Sequence, residues 1–167
     1  MAKVLYADPY FGVEENSEGY VYLRSGDEVL VVPMQDDGRL VLTVEPSQAF
    51  GEPTLILPGG EVEEGETHAD TANRELQEDV GLRANRLDFL GELRPWSKYL
   101  RVRTFVFLGR ELVASRLAAD EGYEIQTMRM HIDAVFESVR AGKLRDSRVI
   151  AAVALVREAL LNESTKR

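Results

Sequence analysis

The chain has 167 residues, with 20 basic against 29 acidic side chains and a formal net charge of −9. That length suits one domain with a sizeable core, and that sign argues against nonspecific binding to nucleic acid or anionic membranes. With no cysteine in the sequence, a disulfide framework, a thiolate nucleophile and a cysteine-based zinc site are all excluded.

In chain order, residues 1–6 read as a strand, 14–19 as a loop and 20–24 as extended. EVLVVPMQ at 28–35 and RLVLTVE at 39–45 are two strand-like runs around Asp36-Asp37-Gly38. An Asp-Gly pair between β-rich runs predicts a hairpin, and Pro33 predicts an edge or a bulge there. Residues 46–53, bounded by prolines, read as a loop, and 54–57 as a short strand that ends at Pro58-Gly59-Gly60. Further strands are predicted at 87–94 and 101–108, a loop at 109–123 and a strand at 124–130. Ile132, Val135, Phe136 and Val139 mark one amphipathic helix. Val149, Ile150, Val153, Val156 and Leu160 mark another, starting at Asp146 or Ser147. Strands mixed with three helices imply a mixed sheet with helices on its faces. No signal peptide and no apolar run of bilayer length is seen, so a soluble cytoplasmic protein is expected.

The richest stretch is GEVEEGETHADTANRELQEDVGL, residues 60–82. Thr67 is an N-cap candidate, with Asp70 placed for the positive end of the dipole. Ala69, Ala72, Leu76 and Val80 form an apolar stripe at helical spacing, and Gly81 suits a left-handed terminus. The expectation is a helix over 68–80, its stripe inward and its carboxylates on another face. Glu75, Glu78 and Asp79 put three carboxylates on one turn. Such a cluster is tolerated where a cation sits among the groups or where they fan into water. Gly59 and Gly60 permit a tight turn and close backbone approach to a ligand.

This stretch resembles the Nudix box, G-x5-E-x7-R-E-U-x-E-E-x-G-U, where U is a bulky aliphatic residue. Gly60, Glu66, Arg74, Glu75, Leu76, Glu78, Gly81 and Leu82 fall in register, and Asp79 stands where the family has a second Glu. The resemblance implies an α/β fold (an α+β mixed sheet in an α/β/α sandwich) with an N-terminal antiparallel strand region, in one domain over 1–167. It implies Mg2+ or Mn2+ held by Glu75, Glu78 and Asp79 with Gly60, hard oxygen donors suited to those ions. It gives Arg74 the task of orienting box carboxylates and Glu66 that of steadying the loop–helix junction. A general base outside the box is expected in the acidic loop at 120–124, Glu121 first and Glu124 second.

The same likeness, strengthened by ANREL at 72–76 and ANRLDFL at 84–90, points to the ADP-ribose pyrophosphatase and ADP-compounds hydrolase branch. The implied substrate is a small nucleoside diphosphate linked to another moiety, with no stable nucleic-acid or membrane partner. Trp96 or Tyr99 would stack on a base, with Arg94, Lys98, Arg101 and Arg103 near phosphates; core or interface packing and plain solvation are the competing readings. Residues 1–24 are candidate strands of a homodimer by the same analogy. Alternatives left open are a nucleoside-triphosphate or RNA-cap pyrophosphohydrolase and, from another class, a non-catalytic nucleotide-binding regulatory domain. His68 and His131 do not make a zinc site.

Overall fold

The computed structural model describes residues 2–118, 122–123 and 125–165. Strands β1 (Lys3–Ala7), β2 (Gly12–Glu15), β3 (Val21–Arg24), β4 (Glu28–Pro33), β5 (Arg39–Ser47) and β6 (Glu52–Ile56) precede helix α1 (His68–Asp79). Then follow β7 (Leu82–Leu93), β8 (Leu100–Arg101), β9 (Thr104–Ala114), β10 (Gln126–His131), α2 (Ile132–Arg140) and α3 (Ser147–Thr165). Three sheets result, in the orders β1-β2-β3-β8, β10-β5-β6 and β4-β9-β7. The β3–β8 and β4–β9 pairs are parallel and the rest antiparallel, so the fold is α+β with mixed sheets, as expected.

Period-two burial makes the central layer. Val29 and Val31 face one way, with Val41, Phe105 and Phe107, onto Ala72 and Leu76 of α1. Leu30 and Val32 face the other, with Leu40, Leu42, Val106 and Leu108, onto Val135 of α2 and Val149, Val153 and Val156 of α3. Strands apolar on both faces are what a layer covered by helices on each side requires. No helix among the described residues is long and apolar enough to cross a membrane.

Several sequence expectations need correction. The Asp36-Asp37-Gly38 turn forms, with Gln35 N–H donating to Arg39 O at 2.8 Å, but only the Met34–Leu40 bridge follows it. The two strands then part. The other edge of β4 is taken by the box approach, Val29 N–H to Gly60 O and Val31 N–H to Pro58 O, each at 2.9 Å. Thus the expected hairpin gives way to a strand that docks the functional loop. Residues 14 and 15 belong to β2 rather than to a loop, because Glu14 is buried against Tyr22 and Arg24 of the neighbouring strand. The predicted loop at 46–53 shrinks to 48–51, with Pro46 and Pro53 opposite each other in the β5–β6 pair. Nor does the chain turn at Gly109: β9 runs on to Ala114 against β7. A Cβ on Gly109 would lie 3.3 Å from Val31 and 3.4 Å from Ala84, so the glycine serves close packing rather than a break.

Candidate active site

Helix α1 begins where the sequence places it. Thr67 Oγ1 accepts the N–H of Asp70 at 3.2 Å, and Gly81 follows the helix with φ +67°. The buried face, however, is Thr71, Ala72, Glu75, Leu76 and Asp79, while Ala69 is exposed. Two carboxylates therefore lie inward, against the expectation that the acids occupy a separate face. Buried polar groups need partners, and these have them. The Gly59 N–H donates to Asp79 Oδ2 at 3.1 Å, and Arg74 donates to Glu75.

Arg74 is the hub. Its Nε donates to Glu66 Oε1 at 3.0 Å, its Nη1 to Glu75 Oε1 at 2.7 Å and Glu78 Oε2 at 2.9 Å. Its Nη2 reaches the Glu61 carbonyl at 3.0 Å and Glu66 Oε2 at 3.2 Å. Burial opposes the guanidinium charge, but the bond to Glu66 and the charges of Glu75 and Glu78 outweigh it and raise its pKa. The Arg74 bond likewise lowers the Glu66 pKa against the cost of burial, helped by the Thr71 hydroxyl at 2.7 Å.

The glycines are steric necessities. A Cβ on Gly60 would lie 2.4 Å from Glu75 Oε1, and one on Gly59 would lie 2.2 Å from the Val29 carbonyl. Loop and β4 backbone meet at a distance only hydrogen allows, and Gly60 leaves the Glu75 carboxylate its place. Whether this cradle suits a divalent ion is a question of donor chemistry. Glu75 and Glu78 already converge on one cationic nitrogen of Arg74, so two hard carboxylate donors share one focus. Asp79 points to the Gly59 N–H instead, and no group of three potential ligands among the described residues forms a metal cluster. The Gly60 carbonyl accepts from Val29, which leaves its second lone pair.

An open cavity of about 930 Å³ is walled by β3, residues 25–27 and the stretch from Arg94 to Arg103, and its Gly26 abuts the Glu61 side chain of the box loop. Of the residues singled out in the sequence, Arg94, Lys98, Tyr99, Arg101 and Arg103 line it. Trp96 does not. It stands at a neighbouring recess of about 220 Å³ with Val21, Tyr22 and Tyr99, edge-on to Tyr99 at 5.4 Å and at φ +51°. Four of the cavity's cations are matched to acids, while Lys98 lies over the Tyr99 ring. Arg24 and Arg101 share Glu14 at 2.7 and 3.3 Å, Arg94 pairs with Glu92 at 2.7 Å, and Arg103 pairs with Asp27. Tyr22 donates to Glu14 at 2.8 Å and lies under the Arg101 guanidinium. Glu121 and Glu124 lie outside the described residues; Tyr123 between them donates to Glu45 at 2.9 Å.

Sequence reasoning passed over Tyr22 and Arg24, although their i, i+2 spacing put both on one face of a strand. It also passed over Glu28, whose carboxylate receives Arg148 Nη1 at 2.9 and 3.0 Å and the Thr104 hydroxyl. Nothing local signals that pair, which ties α3 to the strand against which the box loop docks.

An α1 carboxylate cradle, a glycine approach and a cavity rich in arginines thus lie on one mixed-sheet scaffold. The NUDIX domain model matches residues 24–158, so this chain belongs to the Nudix family and is a Nudix pyrophosphohydrolase. It is similar to the ADP compounds hydrolase NudE of Escherichia coli, 29% identical over 79% of this chain and 70% of that one. The ADP-ribose pyrophosphatase of Bacillus subtilis is 24% identical over 75% and 69%. A crystal structure of an ADP compounds hydrolase superposes with TM-score 0.84 at 27% identity, covering 98% of this chain and 93% of the other.

Proposed function

We propose that this protein hydrolyses the pyrophosphate bond of ADP-ribose or a related ADP compound, such as a short diadenosine polyphosphate or NADH, and releases AMP with a divalent metal. One observation carries the reading: two box carboxylates share a single cation focus next to a basic cavity large enough for a nucleoside. The names of the relatives supply the substrate class. Glu75 and Glu78, with Asp79 and the Gly60 carbonyl nearby, would hold Mg2+ or Mn2+. Such an ion, when bound, neutralises charge on the phosphoryl oxygens and lowers the pKa of a water. Arg74 keeps Glu75 and Glu78 oriented, and Glu66 keeps Arg74 in place. Arg101, Arg94 and Tyr99 offer charge and a ring face to the nucleotide. The general base is assigned to the loop of Glu121 and Glu124.

The reading includes one domain over 1–167 and a homodimer through residues 1–24. On β1 Val4, Leu5 and Tyr6, and in the turn to β2 Tyr10 and Phe11, are all exposed, an apolar density that single domains rarely leave to water. The test of the activity is an assay with and without Mg2+ and Mn2+ against ADP-ribose, diadenosine triphosphate, NADH and the common nucleoside triphosphates. AMP released from the first three supports the proposal. Turnover of triphosphates alone, or turnover unaffected by chelation, overturns it.

A further inference from the structure

Residues 27–29 and 60–62 lie side by side. Val29 N–H donates to Gly60 O at 2.9 Å, Val62 N–H to Asp27 O at 2.8 Å, and Glu28 and Glu61 form a bridge. Arg74 grips the Glu61 carbonyl from the other side at 3.0 Å. The Glu61 backbone is thereby fixed, while its side chain rests over Gly26. A Cβ on Gly26 would come within 2.0 Å of Glu61 Oε1 and 2.6 Å of its carboxyl carbon. Gly26 and Asp27 belong to the cavity wall, and Gly60, the preceding residue, abuts Glu75. Glu61 thus stands where the cavity meets the carboxylate cradle.

Its neighbours are engaged. Glu75 and Glu78 bond Arg74, and Asp27 bonds Arg103. The Glu61 carboxylate, exposed, has no hydrogen-bond or ion-pair partner among the described residues. An ionised carboxylate only accepts hydrogen bonds. It welcomes neutral hydroxyls and repels a phosphate brought close to it.

We propose that Glu61 determines specificity at this site: it accepts hydroxyls of a sugar attached to the diphosphate and disfavours substrates that place an additional phosphate there. The favoured class is the nucleoside diphosphate sugar over the nucleoside polyphosphate. This rests on the reading that the box cleaves a diphosphate reached through the cavity.

The test compares kcat/KM of the wild type, E61L, E61Q and G26A on ADP-ribose and on diadenosine pentaphosphate. Loss of a hydrogen bond to a charged group should cost E61L about tenfold on ADP-ribose, while its turnover of the pentaphosphate rises. E61Q keeps an acceptor and should lose little on ADP-ribose while gaining on the pentaphosphate. G26A pushes the carboxylate aside with its charge intact and should shift the substrate ratio in the direction of E61L. Raising ionic strength should help the wild type on the pentaphosphate and leave E61Q nearly unmoved. A substrate ratio unchanged in E61L and E61Q overturns the assignment while leaving the activity standing. A wild type silent on ADP-ribose, diadenosine triphosphate and NADH overturns the proposed function, and this assignment with it. E61L and E61Q replace an exposed side chain and carry the test alone if G26A misfolds.

Discussion

The carboxylate cradle and the basic cavity solve opposite electrostatic problems in opposite ways. At α1 three acids, Glu66, Glu75 and Glu78, converge on one guanidinium that is only 19% exposed. Along the cavity several cations are spread over several acids, and Arg101 is 60% exposed. The first is a rigid assembly in which every member depends on Arg74. The second is a looser set with exposed cations, where one loss leaves other pairs in place: without Arg101, Glu14 still has Arg24. Charge pairs held away from water are costly to break, whereas exposed ones are worth little to stability. The cradle should therefore fail as a unit and the cavity by degrees.

The sharpest break is E78Q. It keeps the shape of the side chain and removes one of two acids that share the cation focus, so turnover should fall about 1,000-fold, roughly 4 kcal/mol of barrier. Melting should barely change, because a glutamine oxygen still accepts from Arg74. Unchanged turnover would remove Glu78 from the machinery. Next comes R74M, which leaves Glu66, Glu75 and Glu78 facing one another without their counter-ion. A loss of about 3 kcal/mol is expected in denaturant unfolding, with R74K recovering only part because lysine lacks the planar fork. A loss below about 1 kcal/mol would mean that the acids find water, and the contrast with the cavity would vanish.

The unequal legibility of the two regions follows from chain distance. The cradle is written within residues 60–82, where Thr67, Gly81 and the i, i+4 spacing of Arg74 and Glu78 are local signals. The cavity is assembled from strands far apart in sequence: Glu14 meets Arg101 only because β3 pairs with β8. Glu28 and Arg148 are 120 positions apart, and no periodicity announces such a pair. The misread turn at Asp36-Asp37-Gly38 has the same origin. Its residues specify a reversal, but whether the flanking strands pair depends on what else competes for β4, and Pro58 and Gly60 win. Inward Glu75 and Asp79 were hidden for a related reason, since burial of an acid is decided by partners that pattern reading does not see.

For the cavity, R101M should raise KM for ADP-ribose about tenfold with kcat little changed, since it removes binding charge and no reacting group. Stability should move by less than about 1 kcal/mol, because Arg101 is the exposed end of its pair and Arg24 still neutralises the buried Glu14. A fall in kcat equal to that in kcat/KM would instead place Arg101 among groups felt only in the transition state. A gentler probe of the cradle is pH. The Glu66 pKa is lowered from its ordinary value of 4.5 by Arg74 and Thr71. Stability from that shift is fully present above 4.5 and disappears as pH falls through the lowered folded-state value. Acid unfolding of E66Q should lack this component, which would show as a flatter stability profile below pH 4.5 than in the wild type. Parallel profiles would show that Glu66 titrates alike in both states.

The smallest effect on the fold is expected farthest from both regions. Val4 and Tyr6 are each 57% exposed on β1, the edge of the N-terminal sheet. They contribute almost nothing to the core of one copy, so V4D/Y6D should change the unfolding free energy by less than about 0.5 kcal/mol. Assembly should respond quite differently. If two copies bury this face against each other, taking two carboxylates per chain out of water at its centre costs more than the remaining apolar contact can return. Sedimentation should then show a dimer in the wild type and a monomer in the double variant at equal concentration. A wild type that sediments as a monomer would refute the dimer, and β1 would be an edge strand whose charged neighbours Lys3 and Glu15, 3.6 Å apart, already keep other chains away.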